Sequence, residues 1–204
     1  MSLSDLAALT IHDVKNQLAR LAGRAEEQGD PETVHIALEA AAKLTALLVL
    51  DKAEMGELRP NIEAQAPADL VDELIRESKG MCGAIVIEPD CQRAPTLAFY
   101  DATLVRMALA NALNNALRYA RSRIRISVAE QDGYCLFTVE DDGPGFPESV
   151  LADLGATAGI SGEGTGIGLR LAGRIAAEHE NRGLRGSIAL ANVGGGVFVL
   201  RLPM

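Results

Sequence analysis

Residues 7 to 25 carry the constraint that few folds can meet. Apolar side chains recur at Ala7, Ile11, Val14, Leu18, Leu21 and Ala25, steps of four and three that mark a helix packing along a two-per-heptad seam. The pattern predicts a helix from Ser4 to Glu27 that stops at Gly29-Asp30-Pro31. A second helix begins at Pro31, where a missing backbone N–H is no loss. It carries Val34, Leu38, Ala41, Thr45 and Leu48 in a similar seam and ends near Met55-Gly56. Two helices joined by so short a turn make an antiparallel hairpin. Such a hairpin cannot bury both apolar faces alone. Pairing two copies into a four-helix bundle solves that, so a homodimer through residues 1–58 is expected.

The stretch "TIHDVKNQLARL" at 10–21 places His12, Asp13 and Asn16 off this seam. His12 and Asn16 are one turn apart on an outward face. The imidazole is therefore displayed to solvent beside a carboxylate and is not a core histidine. By itself that arrangement also fits an ordinary surface histidine.

Composition narrows the field. The chain has 204 residues and a formal charge of -9, which disfavours a nucleic-acid-backbone binder. Aromatics make up 3% with no Trp, too few for a base-stacking platform. Cys82, Cys91 and Cys135 are odd in number and lack metal-ligand spacing, so they read as buried small hydrophobes in a reducing compartment. The longest apolar run, "LTALLVL" at 44–50, is too short to span a bilayer. A cytoplasmic chain without membrane contact of its own is expected.

Past residue 58 the texture changes. Pro60 and Pro67 bracket a linker at 59–66. A helix at 67–79, strands at "AIVIEP" and "TLAF", and a long helix from Asp101 to Ala120 follow. The alternating segments "RIRISVAEQ" and "YCLFTVEDD" form a hairpin turning at Asp132-Gly133. A Gly-rich loop, a helix from Gly166 to Glu180, and the strands "SIALAN" and "VFVLRLP" complete the chain. The mixture predicts an α+β molecule: the helical hairpin, then an α/β sandwich with one mixed sheet over 67–204.

Three motifs in this second part can carry chemistry. In "NALNNALRYA", Asn111 and Asn115 share one helical face, with Arg118 and Tyr119 a turn beyond. Helix interiors disfavour Asn, so three in five residues (Asn114 included) either form a solvated stripe or offer oxygens to a hard ion such as Mg²⁺. In "VEDDGPGF", Asp141 closes a strand, where it can accept a bond from an exocyclic amine. Gly143 and Gly145 would let a flat ring approach the backbone. In "GEGTGIGLRLA", Gly164, Gly166 and Gly168 precede an apolar helix whose N-terminal N–H groups suit a phosphate. No Walker lysine follows, and no βαβ unit surrounds the loop.

Taken in order, the histidine helix, the Asn-rich helix, the Asp-x-Gly-x-Gly strand end, the Gly-x-Gly-x-Gly loop and "GGGVFVLRLP" resemble the catalytic core of a two-component sensor histidine kinase. The resemblance runs from about Leu9 to Pro203. It implies that residues 1–58 are the dimerisation and histidine-phosphotransfer hairpin, with His12 the phosphoacceptor and Asp13 the acid that orients the imidazole and takes its proton. Asn16 then holds a water for dephosphorylating the partner. Residues 67–204 correspond to the Bergerat ATP-binding fold of gyrase, Hsp90 and histidine kinases. There Asn115 matches the Mg²⁺ ligand, Asn111 its companion, and Arg118 and Tyr119 phosphate and nucleotide contacts. Asp141 matches the adenine-selecting acid beside Gly143 and Gly145, and Gly164, Gly166 and Gly168 the phosphate loop. The implied ligands are ATP and Mg²⁺, and the implied partner is a response regulator receiver domain.

One position discriminates within that superfamily. Gyrase-type and Hsp90-type ATPases place a glutamate four residues before the Mg²⁺ asparagine as general base for water. Here Asn111 stands there, and an amide abstracts no proton. The chain departs from the family in having Gln17 after Asn16, where a proline is common, and in a short lid between Phe146 and Gly162 without a phenylalanine box. Two rivals remain: a histidine phosphotransferase relay with a degenerate nucleotide domain, and an ATP-dependent serine kinase that regulates a sigma factor, which shares the nucleotide domain but lacks the histidine hairpin.

Overall fold

The computed structural model describes residues 3–153 and 166–204. The chain divides into two compact units, Met1–Glu57 and Leu58–Met204.

The first unit is a pair of helices, α1 (Leu3–Glu27) and α2 (Pro31–Glu54). Their reversal is encoded locally. Gly29 adopts a φ of +69°, and the Asp30 N–H returns to the Ala25 carbonyl at 2.9 Å. The Asp30 carboxylate then caps α2, accepting from the Thr33 hydroxyl at 2.6 Å and the Thr33 amide at 3.1 Å. Those two bonds, the hydroxyl's first, hold the Asp30 carboxyl below its ordinary value.

The seam divides differently from the periodicity. Ala22 and Ala25 of α1 and Ala37, Ala46, Leu50 and Ala53 of α2 are buried. Val14 and Leu21, expected on the inner seam, face solvent, as does Leu38 of α2. Ala7 lies where no side chain is described. The apolar stripe is broader than a two-per-heptad line, so one edge is buried and the other stays free. Across its whole length α2 is also more apolar than the run at 44–50 implied. Its mean hydropathy reaches 1.6 over 18 residues, enough in length and composition alone to cross a membrane.

In the second unit, β1 (Glu63–Gln65) pairs antiparallel with β3 (Ala98–Tyr100). Residues 59–66, expected as a linker, thus contribute a strand to this unit. Between these strands come α3 (Pro67–Ser78) and β2 (Val86–Arg93); α4 (Ala102–Tyr119), β4 (Arg123–Gln131) and β5 (Tyr134–Asp141) follow. The chain continues through α5 (Glu148–Asp153), α6 (Ile167–Glu178), a small hairpin of β6 (Glu180–Asn181) and β7 (Leu184–Arg185), β8 (Ser187–Asn192) and β9 (Gly196–Pro203). Periodicity had marked neither α5 nor the β6–β7 hairpin, both too short to show a pattern.

The main sheet runs β2-β4-β5-β9-β8, with β2 parallel to β4 and every other pairing antiparallel. This is the expected α/β sandwich with a mixed sheet. The β4–β5 hairpin turns at Asp132 and Gly133, both at positive φ (52° and 78°), which matches the right-handed twist of its strands. Helices α3, α4 and α6 pack on the sheet. Val105, Leu109 and Leu113 of α4 and Leu171 and Ile175 of α6 are buried, as are Ile124, Ile126, Phe137, Leu200 and Leu202 of the strands. Phe137 meets the Tyr100 ring edge-to-face at 5.7 Å. Cys135 lies in this core, whereas Cys82 and Cys91 are half-buried and no disulfide forms.

The start of α4 and the end of α6 are tied together. The Asp101 carboxylate caps α4 through the Leu104 N–H at 2.9 Å, and the Asp101 N–H donates to His179 Nε2 at 3.0 Å. His179, 2% exposed, donates through Nδ1 to the Ile175 carbonyl at 2.7 Å. The imidazole is therefore neutral in the fold.

Burial pulls His179 below its ordinary 6.5, against the Ile175 carbonyl and the Asp101 and Glu178 carboxylates. The unfolded chain binds that proton more readily, so this stability is complete above the unfolded value and fades as pH falls toward the folded one. The urea midpoint should be lower at about pH 5.5 than at about pH 7.5, and His179→Gln should remove most of the difference. Equal midpoints for the parent would show that the imidazole is not held neutral.

Candidate functional site

Asp141 sits at the end of β5, opposite Ile124 of β4. Both hydrogen bonds described for its carboxylate fall on Oδ1, from the Gly143 N–H at 2.7 Å and the Gly196 N–H at 3.3 Å. Oδ2 is left to address a ligand. A Cβ at Gly196 would stand 2.6 Å from that oxygen, so glycine keeps it open. A side chain at Gly195 would overlap the Asp141 carbonyl, and one at Gly143 would overlap the Tyr119 carbonyl at the end of α4.

The next residue points elsewhere. Asp142 accepts from the Arg121 N–H at 2.8 Å, the Ser122 N–H at 3.0 Å and the Ser122 hydroxyl at 2.6 Å. Those bonds, the Ser122 hydroxyl first, hold its carboxyl well below the usual carboxylate range. It fixes the turn from α4 into β4.

Asn111 is half-buried, and its Nδ2 donates to the Met107 carbonyl at 3.1 Å. Gly168, in the first turn of α6, passes beside it: a Cβ there would stand 3.6 Å from Asn111 Oδ1. The fold thus joins the Asn-rich helix to the glycine motif 57 positions later. Asn115, Arg118 and Tyr119 are exposed, with the Arg118 guanidinium 5.9 Å from the centre of the Tyr119 ring. Gly166 forms the N-cap of α6 at a φ of +59°, and no side chain caps that end, which leaves first-turn N–H groups for an anion. Gly164 lies outside the described residues.

Among the described residues no group of three or more His, Cys, Asp or Glu is placed to hold a metal. The donors at hand are the amide oxygens of Asn111 and Asn115. Such a set fits Mg²⁺, which takes most of its ligands from phosphate and water, and not zinc or copper.

His12, Asp13 and Asn16 belong to the other unit. The His12 and Asp13 side chains are 70% and 79% exposed. Nδ1 of His12 lies 3.2 Å from Asn16 Nδ2 and 3.9 Å from Asp13 Oδ1. Both neighbours address one ring nitrogen, so Nε2 is the one displayed.

Two features around the Asp141 loop were given no role from the sequence. Gly195 and Gly196 were visible as a glycine run before a strand. Asn192, which bonds the Phe146 backbone, carried no signal because its partner is 46 positions away.

A family model described as histidine kinase-, DNA gyrase B- and HSP90-like ATPase matches residues 100–204, a span that holds α4, Asp141, α6 and the glycines before β9. The chain belongs to this ATPase family. Among curated proteins, the signal transduction histidine-protein kinase AfsQ2 of Streptomyces coelicolor is 33% identical over 168 residues, covering 78% of this chain and 27% of that protein. The two-component sensor PhoQ of Pseudomonas aeruginosa is 28% identical over 220 residues, covering 98% of this chain and 45% of that protein. The chain thus spans between a quarter and a half of the length of these relatives. Full-length ShkA, solved in complex with AMPPNP, shares the fold with a TM-score of 0.73 at 19% identity, over 99% of this chain and 46% of that one.

In an ATPase-family domain with Asp141 so placed, Asp141→Asn should weaken ATP binding about tenfold, since a ligand donor loses its acceptor. GTP should be affected less. Calorimetry giving the same ATP affinity for both proteins would remove Asp141 from the base site.

Proposed function

We propose that this chain is the core of an ATP-dependent protein-histidine kinase of a two-component system. It phosphorylates its own His12 and passes the phosphoryl group to an aspartate of a response regulator receiver domain. The observation that carries this reading is Asn111. Where water-splitting members of the fold place a glutamate base, this chain has an amide turned back onto the Met107 carbonyl, and an amide cannot activate water. An ATP site without a water base, on a chain that also displays a histidine, suits transfer to protein. The relatives' names, histidine-protein kinase and two-component sensor, support the same reading.

The chemistry asks little of the nucleotide unit beyond positioning and charge neutralisation. Asp141 selects adenine, Arg118 and Tyr119 contact the nucleotide, and Gly164, Gly166 and the α6 N-terminus receive phosphate. Asn115, with Asn111 beside it, would hold Mg²⁺, which when bound neutralises charge on the phosphates. At the acceptor, His12 Nε2 attacks the terminal phosphorus as the bond to the leaving ADP oxygen breaks. Asp13 then takes the Nδ1 proton, so the imidazole is left neutral and phosphorylated. For Nε2 to hold its lone pair the proton must sit on Nδ1, where the Asp13 carboxylate can accept it; the Asn16 Nδ2–H, a donor, pairs with Nδ1 only in the other tautomer. Asn16, one turn along, would hold a water for dephosphorylating the partner, which makes the chain also a phosphatase.

The exposed apolar edge of the hairpin fits a homodimer. Val14 and Leu21 on α1, and Ile36 and Leu47 on α2, face solvent in one copy. Seven and eleven residues return each pair to one helix face, and a second copy would bury both stripes in a four-helix bundle. The same burial accounts for the apolarity of α2 in a chain we place in the cytoplasm.

His12→Gln should abolish labelling by γ-labelled ATP while leaving ATP affinity unchanged. Mass spectrometry at neutral pH that finds phosphate on Ser, Thr or His35 and none on His12 would overturn the assignment. Sedimentation at micromolar concentration should give a dimer, and Leu21→Glu with Leu47→Glu should give a monomer. A monomeric parent would end the dimer reading.

A further inference from the structure

The side chain of Asn192, the last residue of β8, reaches across to Phe146. Its Oδ1 accepts the Phe146 N–H at 2.8 Å and its Nδ2 donates to the Phe146 carbonyl at 2.9 Å. One amide thereby satisfies both backbone groups of a single residue, as a neighbouring strand would. The preceding residue fits against it: Gly145 has a φ of +81°, and a Cβ there would stand 2.6 Å from Asn192 Oδ1.

The other end of the same loop is fixed from the same turn. Gly143 donates to Asp141 Oδ1 at 2.7 Å, and Gly196, just past the β8–β9 turn, donates to that oxygen at 3.3 Å. Inside the turn the Val193 N–H reaches the Gly195 carbonyl at 3.0 Å. Residues 143–146 belong to no strand, and two of the four are glycines with wide conformational freedom. Without Asn192, Phe146 would turn both groups to water and Gly145 would be free to leave its positive φ.

We infer that Asn192 is a positioning residue for the nucleotide base. It holds the 143–146 loop at a fixed position beside Asp141, so that a base whose amine meets Asp141 Oδ2 finds the loop backbone already in place. It touches no ligand itself and acts through Phe146 and Gly145. The inference rests on Asp141 being the base-selecting acid.

A double-mutant cycle on the whole chain tests it, with AMPPNP affinity read by calorimetry for the parent, Asn192→Ala, Asp141→Asn and the double variant. Asn192→Ala alone should weaken binding about tenfold, as two lost hydrogen bonds would. In the Asp141→Asn background the same change should cost less than about twofold, because the loop then positions a base that has lost its anchor. A merely structural asparagine would cost the same factor in both backgrounds, and that result overturns the inference. So does an Asn192→Ala protein that binds like the parent while Asp141→Asn is weakened. If Asp141→Asn alone binds like the parent, the acid assignment itself fails and the inference falls with it.

Discussion

One backbone N–H governs the geometry of the nucleotide unit. Asp101 gives that N–H to the buried His179 imidazole, caps α4 with one carboxylate oxygen and accepts the Asn61 N–H with the other at 2.8 Å. Three segments meet there: the start of α4, the end of α6 and the chain entering β1. Helices are stiff rods of 1.5 Å per residue, so the 18 residues of α4 span about 27 Å. A tilt of about 5° at the Asp101 end displaces the far end by about 2 Å, enough to spoil a metal or phosphate contact. Tying the start of α4 to the end of α6 therefore sets how Asn111 of α4 meets Gly168 in the first turn of α6.

The features legible in the sequence were those written in short range. A strand ending in an acid with glycines at the next positions needs no distant partner to be recognised, and Asp141 lies where that pattern put it. The Asn-rich stripe on α4, the uncapped glycine entry to α6 and the turn at Asp132-Gly133 were likewise local. Contacts between distant segments left no trace. Nothing near Asn192 announces Phe146, and nothing near His179 announces Asp101, 78 positions upstream. The hairpin seam was half legible: periodicity located the apolar stripe but could not say which edge meets the partner helix. Alanine settled that, since Ala22, Ala25, Ala37, Ala46 and Ala53 are buried while the larger Val14, Leu21 and Leu38 are not.

That division suits the proposed chemistry of the first unit. Small residues inside the hairpin let the two helices approach closely, and the bulky apolar side chains remain outside for a second copy. His12 lies on neither surface. Its ring is exposed, with an acid and an amide gathered about one nitrogen and the other nitrogen open to a phosphoryl donor.

The paired acids at the end of β5 follow from the alternation of a strand. Successive side chains leave opposite faces, so Asp141, the last residue of β5, turns toward Gly143 and Gly196, and Asp142, just past it, toward Ser122. They look interchangeable on paper and are not. Asp142 already spends its oxygens on three donors, and freeing it would undo the junction of α4 and β4. A one-residue insertion or deletion in the β4–β5 hairpin would exchange the two faces. It would pull Asp142 away from its Arg121 and Ser122 donors and send Asp141 to the wrong side. If Asp141 selects the base as proposed, the length of that hairpin is part of the recognition code, although its turn at Asp132-Gly133 lies at the opposite end of the strands.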